Sequence, residues 1–204
     1  MKMTKTILAF AVLILMAASR PITPNYGVGD TVSDFKLKNV DGRMVSLMDY
    51  KKSKGVLVIF DCNTCPYSRK YNDRIIALND KYASLGFPVI TINPNDPEQS
   101  EGDSFDEMVA LAKEKKYKFP YLVDESQEVA RTFGATNTPH AFVLKNEGNS
   151  FKVAYIGAID DNAKDASAVS KKYVEEAVDA LIANKPVPFS KTKAIGCGIK
   201  WKDE

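Results

Sequence analysis

The chain has 204 residues, of which 45% are hydrophobic, and these proportions are typical of one globular domain. A domain of this size can bury a substantial core, so its folding does not depend on disulfide bonds. The formal net charge is only +2 at pH 7, and no block of lysine and arginine stands apart from neighbouring acidic residues, which argues against a nucleic-acid partner.

The first 19 residues have the pattern of a secretory signal peptide. Lys2 and Lys5 precede an apolar run from Ile7 to Ala18, and small residues follow it, so cleavage is expected after Ser19. The run is shorter than the roughly 20 residues that span a membrane, so an uncleaved signal anchor in contact with the membrane is the alternative. The sequence therefore predicts an exported protein of the periplasm, either soluble or held by its signal segment.

Three further regions follow the predicted signal peptide. Residues 20–31 contain two prolines and two glycines and are expected to form an extended lead-in. Residues 32–184 carry the regular hydrophobic patterns of a folded domain. Residues 185–204 form a tail that contains proline and lysine, and we expect it to pack on or near the domain.

Hydrophobic periodicity within residues 32–184 predicts strands that alternate with helices. Strands are expected at 35–38, 44–47, 56–60, 87–92, 119–123, 141–144 and 153–156. Helices are expected at 66–85, from the capping box of Ser104 and Glu107 to about 116, at 127–133 and at 169–183. The first two strands form a hairpin across Asp41-Gly42, and the last two form another. This order predicts a three-layer α/β domain with a mixed sheet.

The segment Cys62-Asn63-Thr64-Cys65 lies where a buried strand ends and an amphipathic helix begins. The N–H groups of a first helical turn lack intrahelical partners and the helix dipole is positive there, so the pKa of Cys62 is expected to fall. Cys65 is one turn further on, where it can attack a mixed disulfide on Cys62. A zinc half-site or a structural disulfide is the alternative, but a zinc site needs a second pair of ligands that the sequence lacks.

Four residues outside this pair are further candidates. Thr138-Pro139 immediately precedes a predicted strand and is a candidate cis peptide bond. Asp61 is a candidate for relaying protons, and its charge would raise the pKa of Cys62, while a solvated aspartate at the strand end is the alternative. Cys197 lies between two glycines near the end of the chain, and we expect a buried thiol rather than a third redox cysteine.

Several segments together resemble the thioredoxin superfamily, in particular its redoxin (AhpC/TSA-like) branch of exported thioredoxin-like proteins. The segments that carry the resemblance are 61–67, 93–96, 119–125, 138–139 and 196–201. The resemblance implies a thioredoxin-like three-layer fold with a central mixed β-sheet, an N-terminal β-hairpin and an extra strand-helix insertion between Asn93 and Pro120. It also implies that Cys62 attacks, that Cys65 resolves, and that Thr138-Pro139 is the cis-proline loop that lines the substrate groove.

The function implied is thiol–disulfide exchange with protein thiols and disulfides, supported by an upstream redox partner. No cofactor and no resident metal are expected, and the sequence indicates neither the direction of electron flow nor the oligomeric state. A thiol-dependent peroxidase is one alternative, although Gly55 and Ile59 stand where peroxiredoxins place a proline and a threonine. Copper or zinc delivery through Cys62, Cys65 and His140 is the other, because the match at Thr138-Pro139 would place this histidine beside the cysteines.

Overall fold

The computed structural model describes residues 25–203, so the predicted signal peptide and residues 20–24 of the lead-in lie outside the described residues. An eight-stranded mixed sheet has the strand order β1-β9-β8-β4-β5-β6-β2-β3, and β10 pairs with β7 apart from it. The strands are β1 (Thr31–Val32), β2 (Lys36–Asn39), β3 (Met44–Ser46), β4 (Gly55–Phe60), β5 (Val89–Asn93), β6 (Tyr121–Val123), β7 (Asn137–Thr138), β8 (His140–Asn146), β9 (Phe151–Gly157) and β10 (Cys197–Gly198). The α-helices are α1 (Pro66–Tyr82), α2 (Phe105–Lys115), α3 (Glu128–Phe133) and α4 (Tyr173–Ile182).

Strand β4 lies near the centre of the sheet, and all six of its residues are therefore buried. It runs parallel to β5 and antiparallel to β8. Successive side chains of a strand point to opposite faces. Accordingly, Val56 and Val58 pack in a cluster with α3, while Leu57 and Ile59 pack in a second cluster with α1 and α4. Two helical layers around a mixed sheet, with β2 and β3 as an N-terminal hairpin, confirm the predicted three-layer α/β architecture.

Within the described part of the chain, no helix is both long enough and apolar enough to cross a membrane.

Local polar contacts account for where two helices begin. The Ser104 hydroxyl accepts from the backbone N–H of Glu107 (3.4 Å), so α2 begins after Ser104 as predicted. The last helix begins at Tyr173 rather than at the predicted Val169. The Asp161 carboxylate accepts from the backbone N–H of Ser170 (2.9 Å), which holds this stretch in a turn ahead of α4.

The C-terminal segment returns to the sheet, where it contacts β9 and then forms strand β10 beside β7. Lys191 forms a bridge to Ile156, and the Thr192 backbone N–H donates to the Ile156 carbonyl (2.9 Å). Strand β10 then pairs antiparallel with β7, with Cys197 opposite Thr138. The tail therefore crosses the same end of the sheet at which β4 leads into α1.

Gly55 opens β4 at a position where no side chain fits. A Cβ there would overlap the backbone carbonyl of Leu144 and the ring of Phe87, both of which are buried. Gly55→Ala should therefore lower the free energy of unfolding by about 1–3 kcal/mol, measured by chemical denaturation.

Gly27→Ala is the matched control, because its Cβ would make an ordinary contact of 3.4 Å with Asp30. This control should stay within about 0.5 kcal/mol of the wild type. Equal stability of Gly55→Ala and the wild type would contradict the close packing of β4 against Phe87.

Candidate functional site

The two central cysteines lie between β4 and α1. Cys62 follows the end of β4, and Cys65 is the N-cap residue of α1, whose first helical position is Pro66. Proline fits this position because the N–H it lacks has no intrahelical partner in a first turn. The predicted location of Cys62 and Cys65 at a strand-to-helix junction therefore holds in the structure.

Cys65 forms a disulfide with Cys197, with 5.9 Å between the two Cα atoms. The expectation that Cys197 is a plain buried thiol is therefore wrong. The physical reason is the β7–β10 pairing, which brings a residue 132 positions away in sequence next to the start of α1. Cys62 is the free cysteine of the structure, and it is only 1% exposed.

All three cysteines meet at Thr138. The Cys62 sulfur lies 3.0 Å from the Thr138 hydroxyl, and the Cys65 sulfur contacts the Thr138 carbonyl oxygen at 3.2 Å. Cys197 is the register partner of Thr138 in the β7–β10 ladder. The Thr138–Pro139 peptide bond is cis. One residue of the predicted groove loop is thus in contact with both sulfurs of the cysteine pair.

The surroundings of Cys62 disfavour its thiolate. Burial raises the pKa of Cys62 above its ordinary value, and the charges of Asp103 and Asp61 raise it further. Hydrogen bonds from the Thr138 hydroxyl and the Cys65 backbone N–H act in the opposite direction but are outweighed. The prediction that the pKa of Cys62 falls is therefore wrong for this disulfide state of the protein.

The Asp103 charge, which adds to the effect of burial on the pKa of Cys62, is held near this thiol by hydrogen bonds from the cysteine loop. The carboxylate of Asp103, which is 2% exposed, accepts from the backbone N–H of Asn63 (2.6 Å) and of Thr64 (3.3 Å). Four further donors reach the same carboxylate, namely Thr64 Oγ1, Asn93 Nδ2, Asn95 Nδ2 and Ser100 Oγ. These amides therefore stabilise the anion of Asp103 rather than an anion on Cys62.

Asp103 is a site residue that sequence reasoning missed. It lies in a polar loop among other acidic residues, and no motif or spacing distinguishes it from Glu101 or Asp106. Its partners come from the cysteine loop, from Asn93 and Asn95 at the end of β5 and just beyond it, and from Ser100, so only the tertiary structure brings them together. The Asn63 side chain is held in the same region by Tyr121, whose hydroxyl donates to Asn63 Oδ1 (2.8 Å).

Asp61 is buried rather than solvated. It is 2% exposed, and its Oδ1 atom has no hydrogen-bond partner among the described residues. Burial raises the pKa of Asp61 to about 6, and the nearby Asp103 charge adds to the effect. The Ser68 hydroxyl and the Cys62 backbone N–H oppose it by hydrogen bonding to the carboxylate. The carboxyl next to Cys62 can therefore gain or lose a proton near neutral pH.

His140 packs in the core instead of completing a ligand set. Its Nδ1 atom accepts from the Thr136 backbone N–H (3.3 Å), and its ring packs 4.8 Å from that of Phe142. Burial, with a smaller contribution from the charge of Lys191, lowers the pKa of His140 to about 4. Among residues 25–203, no group of three or more His, Cys, Asp or Glu side chains is arranged to hold a metal ion.

Comparisons with known proteins agree with this geometry. Residues 28–155 match the model of the AhpC/TSA family. The thiol-disulfide oxidoreductase ResA of Geobacillus thermodenitrificans is 26% identical over 151 residues, which cover 69% of this chain and 80% of ResA.

Two solved structures extend the comparison to the fold. An uncharacterized conserved protein from Geobacillus kaustophilus has a TM-score of 0.81 and 36% identity, covering 87% of this chain and 94% of that one. The thioredoxin domain of a thiol-disulfide oxidoreductase from Bacteroides vulgatus has a TM-score of 0.51 and 20% identity, covering 65% of this chain and 91% of that one. The predicted thioredoxin-like fold is confirmed.

The raised pKa of Asp61 makes the stability of the fold depend on pH. The folded protein binds the proton of the Asp61 carboxyl more tightly than the unfolded chain does. The contribution of this proton to the free energy of unfolding is therefore complete below about pH 4 and is lost as pH rises through about 6. Between about pH 4 and pH 8 the free energy of unfolding of the wild type should fall by about 3 kcal/mol, and that of Asp61→Asn should not show this decrease. Denaturant unfolding at both pH values measures this difference.

Asp106→Asn is the control for this experiment, because Asp106 is exposed on α2. Its unfolding free energy should follow the wild-type pH dependence. If Asp61→Asn followed that dependence too, the carboxyl of Asp61 would not carry the buried proton.

Asp103→Asn should lower the pKa of Cys62. The variant keeps an acceptor oxygen for the loop but removes the negative charge that helps to raise this pKa. In the oxidised protein Cys62 is the free cysteine, so its rate of alkylation can be followed by mass spectrometry across a range of pH. The midpoint of that profile should shift to lower pH in Asp103→Asn and stay unchanged in Asp106→Asn. An unshifted midpoint in Asp103→Asn would show that this charge does not control Cys62.

Proposed function

The chain belongs to the AhpC/TSA family, and we propose that it is a thiol–disulfide oxidoreductase that exchanges electrons with protein substrates through Cys62 and Cys65. The observation that carries the proposal is the contact of both sulfurs with Thr138, at a strand-to-helix junction of a thioredoxin-like fold. The Cys65–Cys197 disulfide adds support, because the proposed reaction also forms and breaks a disulfide at Cys65.

In the proposed reaction, Cys62 is the attacking thiol. Its thiolate attacks a substrate disulfide, and one substrate sulfur leaves as a thiol while a mixed disulfide forms on Cys62. Cys65 then attacks the Cys62 sulfur, which releases the second substrate thiol and leaves a Cys62–Cys65 disulfide. The reverse sequence oxidises a substrate dithiol, and an upstream redox partner resets the pair in either direction.

Asp61 is placed to accept the proton that Cys62 loses. The Ser68 hydroxyl lies 3.8 Å from the Cys62 sulfur and hydrogen-bonds to the Asp61 carboxylate, so Ser68 connects the two groups. A carboxyl whose pKa is about 6 is largely ionised at neutral pH and can take up a proton without a large cost. Thr138 donates to the same sulfur and stabilises the thiolate as it forms.

The compartment is part of the proposal. The signal pattern in residues 1–19 favours export to the periplasm, with an uncleaved signal anchor as the alternative form. The Cys65–Cys197 disulfide favours an oxidising compartment, because such bonds persist outside the cytosol. Protein thiols and disulfides of that compartment are the proposed substrates.

Replacing either cysteine of the pair should separate the roles of the two thiols. Cys62→Ser removes the nucleophile, so the rate of insulin disulfide exchange should fall by roughly 10³-fold or more. Cys65→Ser keeps the nucleophile but removes the resolving thiol, so mixed disulfides with substrate should accumulate on Cys62. Mass spectrometry of alkylated, non-reduced protein detects them. Full exchange activity in Cys62→Ser would overturn the assignment.

The same preparation tests the alternatives. Under reducing conditions, His140→Ala should change the rate of disulfide exchange by no more than a small factor. Copper and zinc should bind weakly to the wild type and equally weakly to this variant. Tight stoichiometric metal binding that disappears in His140→Ala would favour metal delivery. Peroxide consumption that exceeds insulin exchange would favour a peroxidase.

A further inference from the structure

Near its C-terminal end the chain pairs with the loop that contacts the cysteine pair. Residues 196–199, which we call the strap, run antiparallel to β7. The Asn137 side chain donates to the Gly196 carbonyl (3.0 Å), and the Ile199 backbone N–H donates to the Thr136 carbonyl (3.2 Å). A Cβ on Gly196 would overlap the Thr138 carbonyl and contact Pro139, so the strap lies flat on this loop because residue 196 is glycine.

The strap has a shallow attachment apart from its disulfide. Ile199 is its buried apolar residue, while Cys197 is only partly buried and Gly198 is exposed. Beyond it, the Lys200 backbone N–H donates to the Asn95 side-chain oxygen (2.9 Å), and the Lys200 carbonyl accepts from the Asp96 backbone N–H (2.9 Å). Segments with few buried apolar contacts open at low free energy. Gln127 anchors the chain beyond the strap, because its side chain donates to the Lys200 carbonyl (2.9 Å) and accepts from the Lys202 backbone N–H (2.8 Å). Breaking the disulfide would therefore loosen residues 196–198 first, while Ile199 and the residues after it keep their own contacts.

The strap and Cys62 share the contact with Thr138. Cys62 is almost fully buried while the strap is in place, so the attacking thiol of the proposed reaction cannot meet a protein substrate in this arrangement. Cys62 nevertheless lies beside the disulfide, because the Cys65 backbone N–H faces its sulfur and both sulfurs contact Thr138. Of the two sulfurs of the disulfide, that of Cys65 therefore shares a Thr138 contact with the Cys62 sulfur.

We propose that Cys197 is a third redox-active cysteine and that the strap is a cover released by internal disulfide exchange. The Cys62 thiolate attacks the Cys65 sulfur, a Cys62–Cys65 bond forms, and the Cys65–Cys197 bond breaks. Cys197 leaves as a thiolate and takes up the proton that Cys62 gave up. One disulfide replaces another, so no external oxidant or reductant takes part. This inference rests on the proposed function and adds a step to its oxidising direction, because the product carries the Cys62–Cys65 disulfide that a substrate dithiol reduces.

Two readouts on the full-length oxidised protein test the exchange. Rapid alkylation followed by peptide mapping measures the ratio of Cys62–Cys65 to Cys65–Cys197 disulfides at a fixed oxidation level. Trp201 is the only tryptophan of the chain, and it lies under the guanidinium of Arg131 with 4.5 Å between the Arg131 Cζ atom and the ring centroid. A shift of its fluorescence emission to longer wavelength reports a more solvent-exposed Trp201, which is expected when displacement of the strap extends to the residues that follow it.

Gly196→Ala loosens the strap without changing any cysteine. The overlap with Thr138 should raise the Cys62–Cys65 to Cys65–Cys197 ratio by about 5- to 150-fold and shift Trp201 emission to longer wavelength. Gly198→Ala is the matched control, because a Cβ on Gly198 has no atom within 4 Å, and it should keep the wild-type ratio. Cys197→Ser should hold the Cys62–Cys65 disulfide and exchange with insulin at least as fast as the wild type.

Two results would overturn the proposal. One is a Gly196→Ala protein in which Cys65–Cys197 remains the only disulfide and Cys62 the only alkylated thiol. The other is loss of exchange in Cys197→Ser while its circular dichroism stays that of the wild type. A different result would contradict the proposed function. That result is full exchange activity in Cys62→Ser, and it does not depend on the disulfide ratio of Gly196→Ala.

Discussion

The buried carboxylate of Asp103 fixes the shape of the site. An isolated charge in the interior is costly, so a buried carboxylate persists where several donors surround it. The backbone N–H groups of the cysteine loop supply two of these donors, and side chains at the end of β5 and just beyond it supply others. The loop between Cys62 and Cys65 therefore takes the conformation that satisfies Asp103. The same conformation directs the N–H groups of Asn63 and Thr64 to Asp103, and it leaves the Cys62 thiol close to two carboxylates.

The Asp103 network also reaches the end of the chain. Asn95 donates to the Asp103 carboxylate through its Nδ2 atom (2.8 Å) and accepts from the Lys200 backbone N–H through its Oδ1 atom (2.9 Å). A single side chain thus connects the cysteine loop with the residue that follows the strap. Because hydrogen bonds in such a network depend on one another, displacement of the strap changes the surroundings of Asp103 and therefore the charge that Cys62 experiences.

The sequence predicts the parts of this arrangement that depend on local pattern, and it fails where contacts are long-range. The apolar run in β4, the helix that begins at Pro66 and the cysteine spacing locate the reactive junction without any structure. Cys197 could not be paired in the same way, because β7 and β10 have two residues each and carry no periodic signal. The shift in the pKa of Cys62 was missed for a related reason. The helix-dipole argument takes no account of burial, which is the largest cause of the raised pKa, or of the charge of Asp103, which comes from 40 residues beyond Asn63 in the chain.

The arrangement of Cys197 resembles a substrate held within the same molecule. An extended segment pairs with β7, and its cysteine is joined to one sulfur of the redox pair. A tethered competitor acts at an effective concentration that is commonly in the millimolar range for a short linker, so a free thiol or disulfide at lower concentration is disfavoured unless it binds elsewhere on the protein as well. The strap would therefore select for folded or extended protein partners with additional contacts over small thiols.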